Sequence, residues 1–363
     1  MPSPYCHSGA SRRGSNHSLR TAVFLIATGL ICAGCLKADV IAELPPVGAV
    51  ARELPVGASG LSFPIIENEV LAGSVANNTG ATLTFSDTGA AVSSRLEPGA
   101  RYYVEVLDGT LEGERWDVDT VATAAAGGAT VALDLSAGSL STSHTLVAET
   151  LAGARCALRQ HVTLSRLAAM FSPGLVGNNN SRLADGIHVL GEDGFIFHYL
   201  RSDGQTWRCG SSPLDMRDLV IPPDSAIVVE LRSGPKIWTE AGAVRTNAFR
   251  KNLVAGLQSF ATGFPLTLSP VEIGAFATDP SADPSSRWIG HENTDAADEI
   301  LVFGAPDTEY FSWHLAGDGE SWRQESGDGS DQAHVSFLPA SGLILLRRGN
   351  ADAGYIIPRP FDF

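Results

Sequence analysis

Apolar and polar residues alternate with a period of two through much of this chain, the pattern of strands lying against a core. Within Arg101–Leu107, Tyr103, Glu105 and Leu107 alternate with Tyr102, Val104 and Val106. Asp108-Gly109 follows and supplies the positive φ that a tight turn needs. In the next run Trp116, Val118 and Thr120 share one face and Asp117 and Asp119 the other, which predicts an antiparallel strand with one wet side. Further strand-like runs lie at 62–66, 69–75, 81–85, 130–135 and about 144–149, while 124–129 (AAAGGA) reads as a loop. Helix signals are few. Ser269-Pro270-Val271-Glu272 is a capping box soon closed by Gly274, and 163–171 offers Thr163 or Ser165 as a cap. The pattern predicts an all-β fold, mainly antiparallel sandwiches or barrels, with one or two short helices.

The C-terminal half reads as internally duplicated. Asp185, Ile187, Val189 and Gly191 recur as Asp298, Ile300, Val302 and Gly304. Leu200, Asp203, Gly204, Trp207 and Arg208 recur as Leu315, Asp318, Gly319, Trp322 and Arg323. Pro223, Ser225, Ile227, Val229 and Arg232 recur as Pro339, Ser341, Leu343, Leu345 and Arg348, and Thr163-Leu164-Ser165 as Thr267-Leu268-Ser269. A unit this long is a domain-sized copy, because solenoid repeats run to about 20–50 residues. The expected divisions are a signal segment at 1–38, an N-terminal β domain at 39–150, copy one at 151–250 and copy two at 251–363. Residues shared by the copies most simply serve the common fold. Trp207 and Trp322 are then packing anchors, each burying roughly 200 Å². The functional alternative makes them, with Trp313 and Tyr199, a ring platform for sugars.

The N-terminus has the character of an address. A basic stretch, SRRGSNHSLR at 11–20, precedes the uncharged run TAVFLIATGLICAGCL at 21–36. That run falls short of the roughly 20 residues needed to span a bilayer, so it reads as a secretory signal. Two cleavage sites compete. Cys32-Ala33-Gly34-Cys35 resembles a lipobox and would make Cys35 a lipidated first residue, whereas the other site follows Ala38. Cys156 and Cys209 remain in the globular part, as a disulfide or as two free thiols.

Charge narrows the partners. All four basic residues before Asp39 lie in the signal segment, so the mature chain carries 21 Lys and Arg against 40 Asp and Glu, a net of −19. Such a surface repels phosphate backbones and argues against nucleic acid. Envelope components and glycans stay open as partners, and the membrane only through a lipid anchor. Standard chemistry leaves no motif. His188 and His198 fall on neighbouring strands without zinc spacing, and His291-Glu292 lacks a zincin's second histidine. The acidic stretch 317–331 misses the EF-hand order and reads as a solvated hairpin tip, and there is no G-x-S-x-G elbow or Walker sequence. No metal or cofactor is expected.

The Pro46-Val47-Gly48 entry, the run from Tyr103-Val104-Glu105 to Leu111-Glu112-Gly113, and the Trp-Arg pair followed by a Pro-led apolar strand resemble an uncharacterised, paralogue-rich family of exported bacterial β-proteins. The resemblance covers most of residues 39–350. The family's Pro-Gly-x-Gly-Phe turn is replaced here by Pro222-Pro223-Asp224-Ser225-Ala226 and Leu338-Pro339-Ala340-Ser341-Gly342. It implies export and a β fold, and supplies no activity and no site residues. The expectation is an exported structural or binding protein of the envelope or exterior. A carbohydrate-binding module and a glycoside hydrolase are the alternatives, the latter requiring two carboxyl groups facing each other about 5–9 Å apart.

Overall fold

The computed structural model describes residues 46–360, apart from 87, 136–145, 192–193, 224, 278–287, 304–309, 326 and 350–352. The expected signal segment, Cys35 and both candidate cleavage sites lie outside the described residues. The fold is all-β, with antiparallel sheets, a closed barrel and two short α-helices.

Six strands close the barrel in the order Glu69–Asn78, Thr82–Phe85, Thr130–Asp134, Arg115–Val118, Tyr102–Val106 and Arg155–Gln160, the last pairing back onto the first. The period of two selects its filling: Leu71 and Val75, Leu83 and Phe85, Val104 and Val106, Trp116 and Val118, Val131 and Leu133, Cys156 and Leu158 all point into one core. Thr120–Ala126 is an α-helix where the sequence pattern indicated strand end and loop. Asp119 accepts a hydrogen bond from the Ala122 N–H at 2.8 Å, the alanines favour helix, and Gly127 at φ 66° ends it.

Two five-stranded sheets, with three smaller sheets of two or three strands, form the rest of the described residues. The first runs Trp207–Cys209, Gly194–Leu200, Gly186–Gly191, Ala226–Leu231, Gly57–Ser62. The second runs Trp322–Gln324, Tyr310–Leu315, Glu299–Phe303, Leu343–Arg347, Gly256–Phe260. Their registers correspond. Leu200 faces Trp207 as Leu315 faces Trp322, and Ile187 faces Val229 as Ile300 faces Leu345. Leu231 faces Gly57 as Arg347 faces Gly256. Each sheet is flanked by a long antiparallel pair, Val47–Leu54 with Lys236–Ala243 and Phe249–Leu253 with Ala353–Ile357. Each has its own apolar core, anchored by Trp207 and Trp238 in one and by Trp288, Trp313 and Trp322 in the other.

Pairing links the ranges 39–150 and 151–250 rather than separating them. Strands 47–54 and 57–62 join 236–243 and 226–231, and the barrel lies between them in the chain. A strand's period of two reports that it is half-buried, but not which distant strand it pairs with. The run at 62–66 is continuous strand only to Ser62; Ile65 is a buried loop residue, and the buried Ile66 makes an isolated antiparallel bridge with Ala243. Residues 146–150 form a turn instead of the expected strand. The Ser269 capping box forms, with Glu272 Oε2 accepting from the Ser269 N–H at 2.8 Å, yet the chain makes only a turn before Gly274 at φ 73°. Thr163 caps the helix Leu164–Ala168.

The sheets meet where their backbones approach at Gly60 and Gly342. A Cβ on Gly342 would lie 2.6 Å from the Leu61 nitrogen, so only glycine allows this contact. Arg52 ties the seam by donating to the carbonyls of Gly60 at 2.6 Å and Ala340 at 3.1 Å.

Candidate functional site

The outer face of the barrel, where strands 102–106, 115–118 and 155–160 lie side by side, carries Tyr103, Glu105, Arg115, Asp117 and Arg159. Alternation on these strands predicts that face to be wet. It is buried: Glu105 is 0 %, Arg115 1 % and Arg159 3 % exposed. The segment from Arg245 to Leu253 covers it, which corrects the half-exposed reading of Asp117. Glu105 pairs with Arg159 at 3.1 Å and with Arg245, and Arg159 also holds Glu69 at 2.9 Å. Arg115 and Arg245 both lie over the Phe249 ring at 4.7 Å, an arrangement that favours cations through the ring's negative face. Arg250 pairs with Glu114 at 3.2 Å and donates to the Glu112 carbonyl. Gly113, at φ 84°, sits so close to the Ala248 carbonyl that a Cβ would come within 2.8 Å of it. Burial lowers the Arg245 pKa to about 10. The charges nearly cancel, which is what lets so many ionised groups leave water together.

Beside this cluster a narrow cleft opens between barrel and first sheet. Phe63, Ile65, Ile66, Val162, Ile221 and Pro223 make its apolar walls, and Glu67, Tyr103, Gln160 and His161 its polar ones. His161 is buried, lies against Tyr103 with the rings tilted and their centroids 4.8 Å apart, and bonds Asp117 through Nε2 at 2.6 Å; its Nδ1 has no partner. A carboxylate behind an imidazole resembles a general-base arrangement. The lining holds no Ser, Thr or Cys, and the free volume of about 10 Å³ suits a single water. Glu67 is the one carboxylic acid in that lining, and Arg166 grips it at 2.5 and 2.6 Å. This cleft therefore does not supply the two facing carboxyls of a glycosidase. Beneath it, the buried Glu240 accepts from the Ile65 N–H at 3.1 Å. Desolvation, opposed by that hydrogen bond and aided by Glu67, pushes its pKa up to about 9.

The ring residues marked in the sequence lie inside. Trp207, Trp313, Trp322 and Tyr199 are all buried, as are the other three of the chain's six tryptophans. They are packing anchors rather than a sugar platform: Trp322 stacks edge-on with Trp288 at 5.6 Å and donates Nε1–H to the Ala275 carbonyl at 2.8 Å. Trp313 and Tyr199 hold non-equivalent positions, since Tyr199 faces Gly186 as His314 faces Glu299. Cys156, inside the barrel, and Cys209, on the edge of the first sheet, are free thiols and not a disulfide. His188 bonds Glu230 at 2.8 Å, and His198 turns Nδ1 to the Ile196 carbonyl. Among the described residues no three His, Cys, Asp or Glu side chains gather as a metal site. In the acidic stretch, Asp318 accepts from the N–H groups of Glu320 and Ser321, and Asp331 from those of Trp322 and Ala333. Those of Asp318 are turn-forming bonds, but the stretch is not one solvated hairpin tip: it contains the strand Trp322–Gln324, and Asp331 reaches back to that strand's first residue.

Sequence reasoning passed over the junction cluster. Its one signal is that the charged residues of three aromatic or apolar strands, Glu105, Arg115 with Asp117, and Arg155 with Arg159, each fall on one face of their strand, and the same signal marks an ordinary wet face. It also passed over the two hairpin ends, which the fold brings together. Phe195 and Phe303 touch edge to face at 6.2 Å; on the same strands or their partners Ile196, Tyr310 and Phe311 are 41 %, 56 % and 46 % exposed, with Ile196 and Phe311 on the opposite strand faces. Tyr310 faces Phe303 across its strand pair, and Phe311 faces Val302. The chain matches no protein-family model, no curated protein and no solved structure.

Proposed function

We propose that this is an exported protein of the cell envelope or exterior that binds a partner rather than transforming it. The observation that carries the binding reading is the set of exposed apolar residues at the joined hairpin ends, Tyr310 on the strand face of the Phe195–Phe303 contact and Ile196 and Phe311 on the opposite faces of their strands. Exposed large apolar side chains concentrated at one end of a fold mark interaction sites. The acidic chain disfavours polyanionic partners, leaving neutral or basic envelope components. Export rests on the basic and apolar N-terminal segment and on the resemblance described above. A glycan partner is the second reading, favoured by the exposed Tyr310 ring, since sugars stack on accessible aromatics.

The test expresses the full chain in a bacterial host and follows the processed protein. Fractionation is expected to place it outside the cytoplasm, with palmitate labelling that depends on Cys35 if the lipobox is used. The processed protein is expected to sediment with isolated envelopes, and the double substitution Tyr310→Ser and Phe311→Ser to reduce this at least tenfold while leaving thermal unfolding intact. Cytoplasmic retention of an unprocessed chain overturns the export reading. Equal sedimentation by variant and parent overturns the binding surface. Loss of binding after glycosidase treatment of the envelopes selects the glycan reading.

A further inference from the structure

The two sheets share strand order, pair registers and buried carboxylates. Asp185 accepts from the N–H groups of Val176 and Arg232 as Asp298 accepts from those of Ile289 and Arg348. The correspondence begins earlier in the chain than the sequence repeat. Leu54 faces Lys236 as Leu253 faces Ala353, and Gly57 and Gly256 both open their strands at positive φ. After these strands the two halves differ. In the second, the chain passes from Phe260 directly to Leu268, which bridges Phe337. In the first, the equivalent passage from Leu61 to Val162, which faces Ile221, contains the whole barrel; pairing thus sets Val162 and the cap Thr163 against Leu268 and the cap Ser269, two residues off the Thr163–Thr267 match read from the sequence.

We infer that the body consists of two copies of one unit, beginning at Val47 and Phe249, and that the barrel is an insertion in the first copy that folds as a cooperative unit of its own. Three further observations agree. The points of departure and return lie side by side, because Arg159 donates to the Glu67 carbonyl at 2.8 Å and Arg166 grips the Glu67 carboxylate. The barrel's apolar core is separate from those of both sheets. Its contact with the segment 245–253 of the body carries ion pairs, Glu105 with Arg245 and Glu114 with Arg250, and Arg115 lies over the Phe249 ring and donates to the Arg250 carbonyl, as domain interfaces within a chain are more polar than cores. Residues shared by the copies then serve the scaffold, and the barrel is the part of the described chain with no counterpart to explain it.

Native-state hydrogen exchange on the full chain tests this. Leu158, fully buried in the barrel, is replaced in Leu158→Ala, with Leu158→Val as the milder change should the first fail to fold. Loss of protection is expected throughout 69–160, at least thirtyfold for alanine and about tenfold or less for valine. The amides of 57–62 should stay with those of 226–231, within threefold of the parent. Ile187→Ala, in the first sheet's core, should do the reverse. The inference is overturned if 47–62 loses protection together with the barrel, or if either substitution lowers protection uniformly across the chain.

Discussion

Glu240→Gln gives a quantitative test of how the backbone of the cleft residue Ile65 is held. Glu240 is 4 % exposed, and burial holds its carboxyl neutral, with a pKa near 9 against the ordinary 4.5. Between those values the folded protein keeps a proton that the unfolded chain has released. Stability should be fully present below pH 4.5 and fall by about 1.4 kcal/mol per pH unit until the folded pKa is passed. At pH 7 the accumulated loss is about 3 kcal/mol, and near pH 9 about 6 kcal/mol. Glutamine keeps an oxygen for the Ile65 N–H and cannot ionise. Its buried NH₂ costs about 1–3 kcal/mol if unpaired, so the variant should be the weaker protein at acid pH and match or exceed the parent above neutrality. Urea unfolding from pH 5 to 8, followed by the fluorescence of the buried tryptophans, should show the stability difference changing by roughly 4 kcal/mol. A difference that stays flat across that range would mean Glu240 ionises normally and would refute the desolvation argument.

Other consequences follow from the same packing. Glu105→Gln leaves Arg159 and Arg245 facing an uncharged amide and should cost about 3–5 kcal/mol in guanidinium unfolding; a cost below about 0.5 kcal/mol contradicts a buried ionic junction. Trp322→Ala should cost about 3–5 kcal/mol of stability, and Tyr310→Ser less than about 1 kcal/mol, because only the first ring is packed. Equal costs by calorimetry would show the assignment of inside and outside to be mistaken. The Cys156 thiol, pushed up to about 12 by burial and then by Asp108, should resist alkylation at pH 8 in the native state while Cys209 reacts, and both should react in urea without reductant. A mass showing neither labelled in urea would establish a disulfide.

Much of the fold was legible because a strand writes its two faces into alternate residues. Tyr102, Val104 and Val106 announce an inward face, and Val131 and Leu133 do the same, without reference to any partner. The recurrence of Asp185, Leu200 and Trp207 as Asp298, Leu315 and Trp322 likewise marked landmarks that occupy matching places in two sheets. The anchors Trp207 and Trp322 were legible as packing residues because large rings repeated in both halves most simply belong to a shared core. Asp119 as a helix cap was missed because an alanine run next to glycines reads equally as loop.

What the chain alone established is which side chains alternate and which landmarks repeat, since both follow from local geometry. Only the tertiary structure decided which distant strands pair, so that Val47–Leu54 belongs with Lys236–Ala243 and the barrel stands between its own flanks. It also decided that Glu105, Asp117 and Arg159 face protein and not water. A strand with charges on one side is compatible with solvent or with a matching set of opposite charges. That choice depends on whether residues more than a hundred positions away, such as Arg245 and Phe249, close over the face and compensate its desolvation.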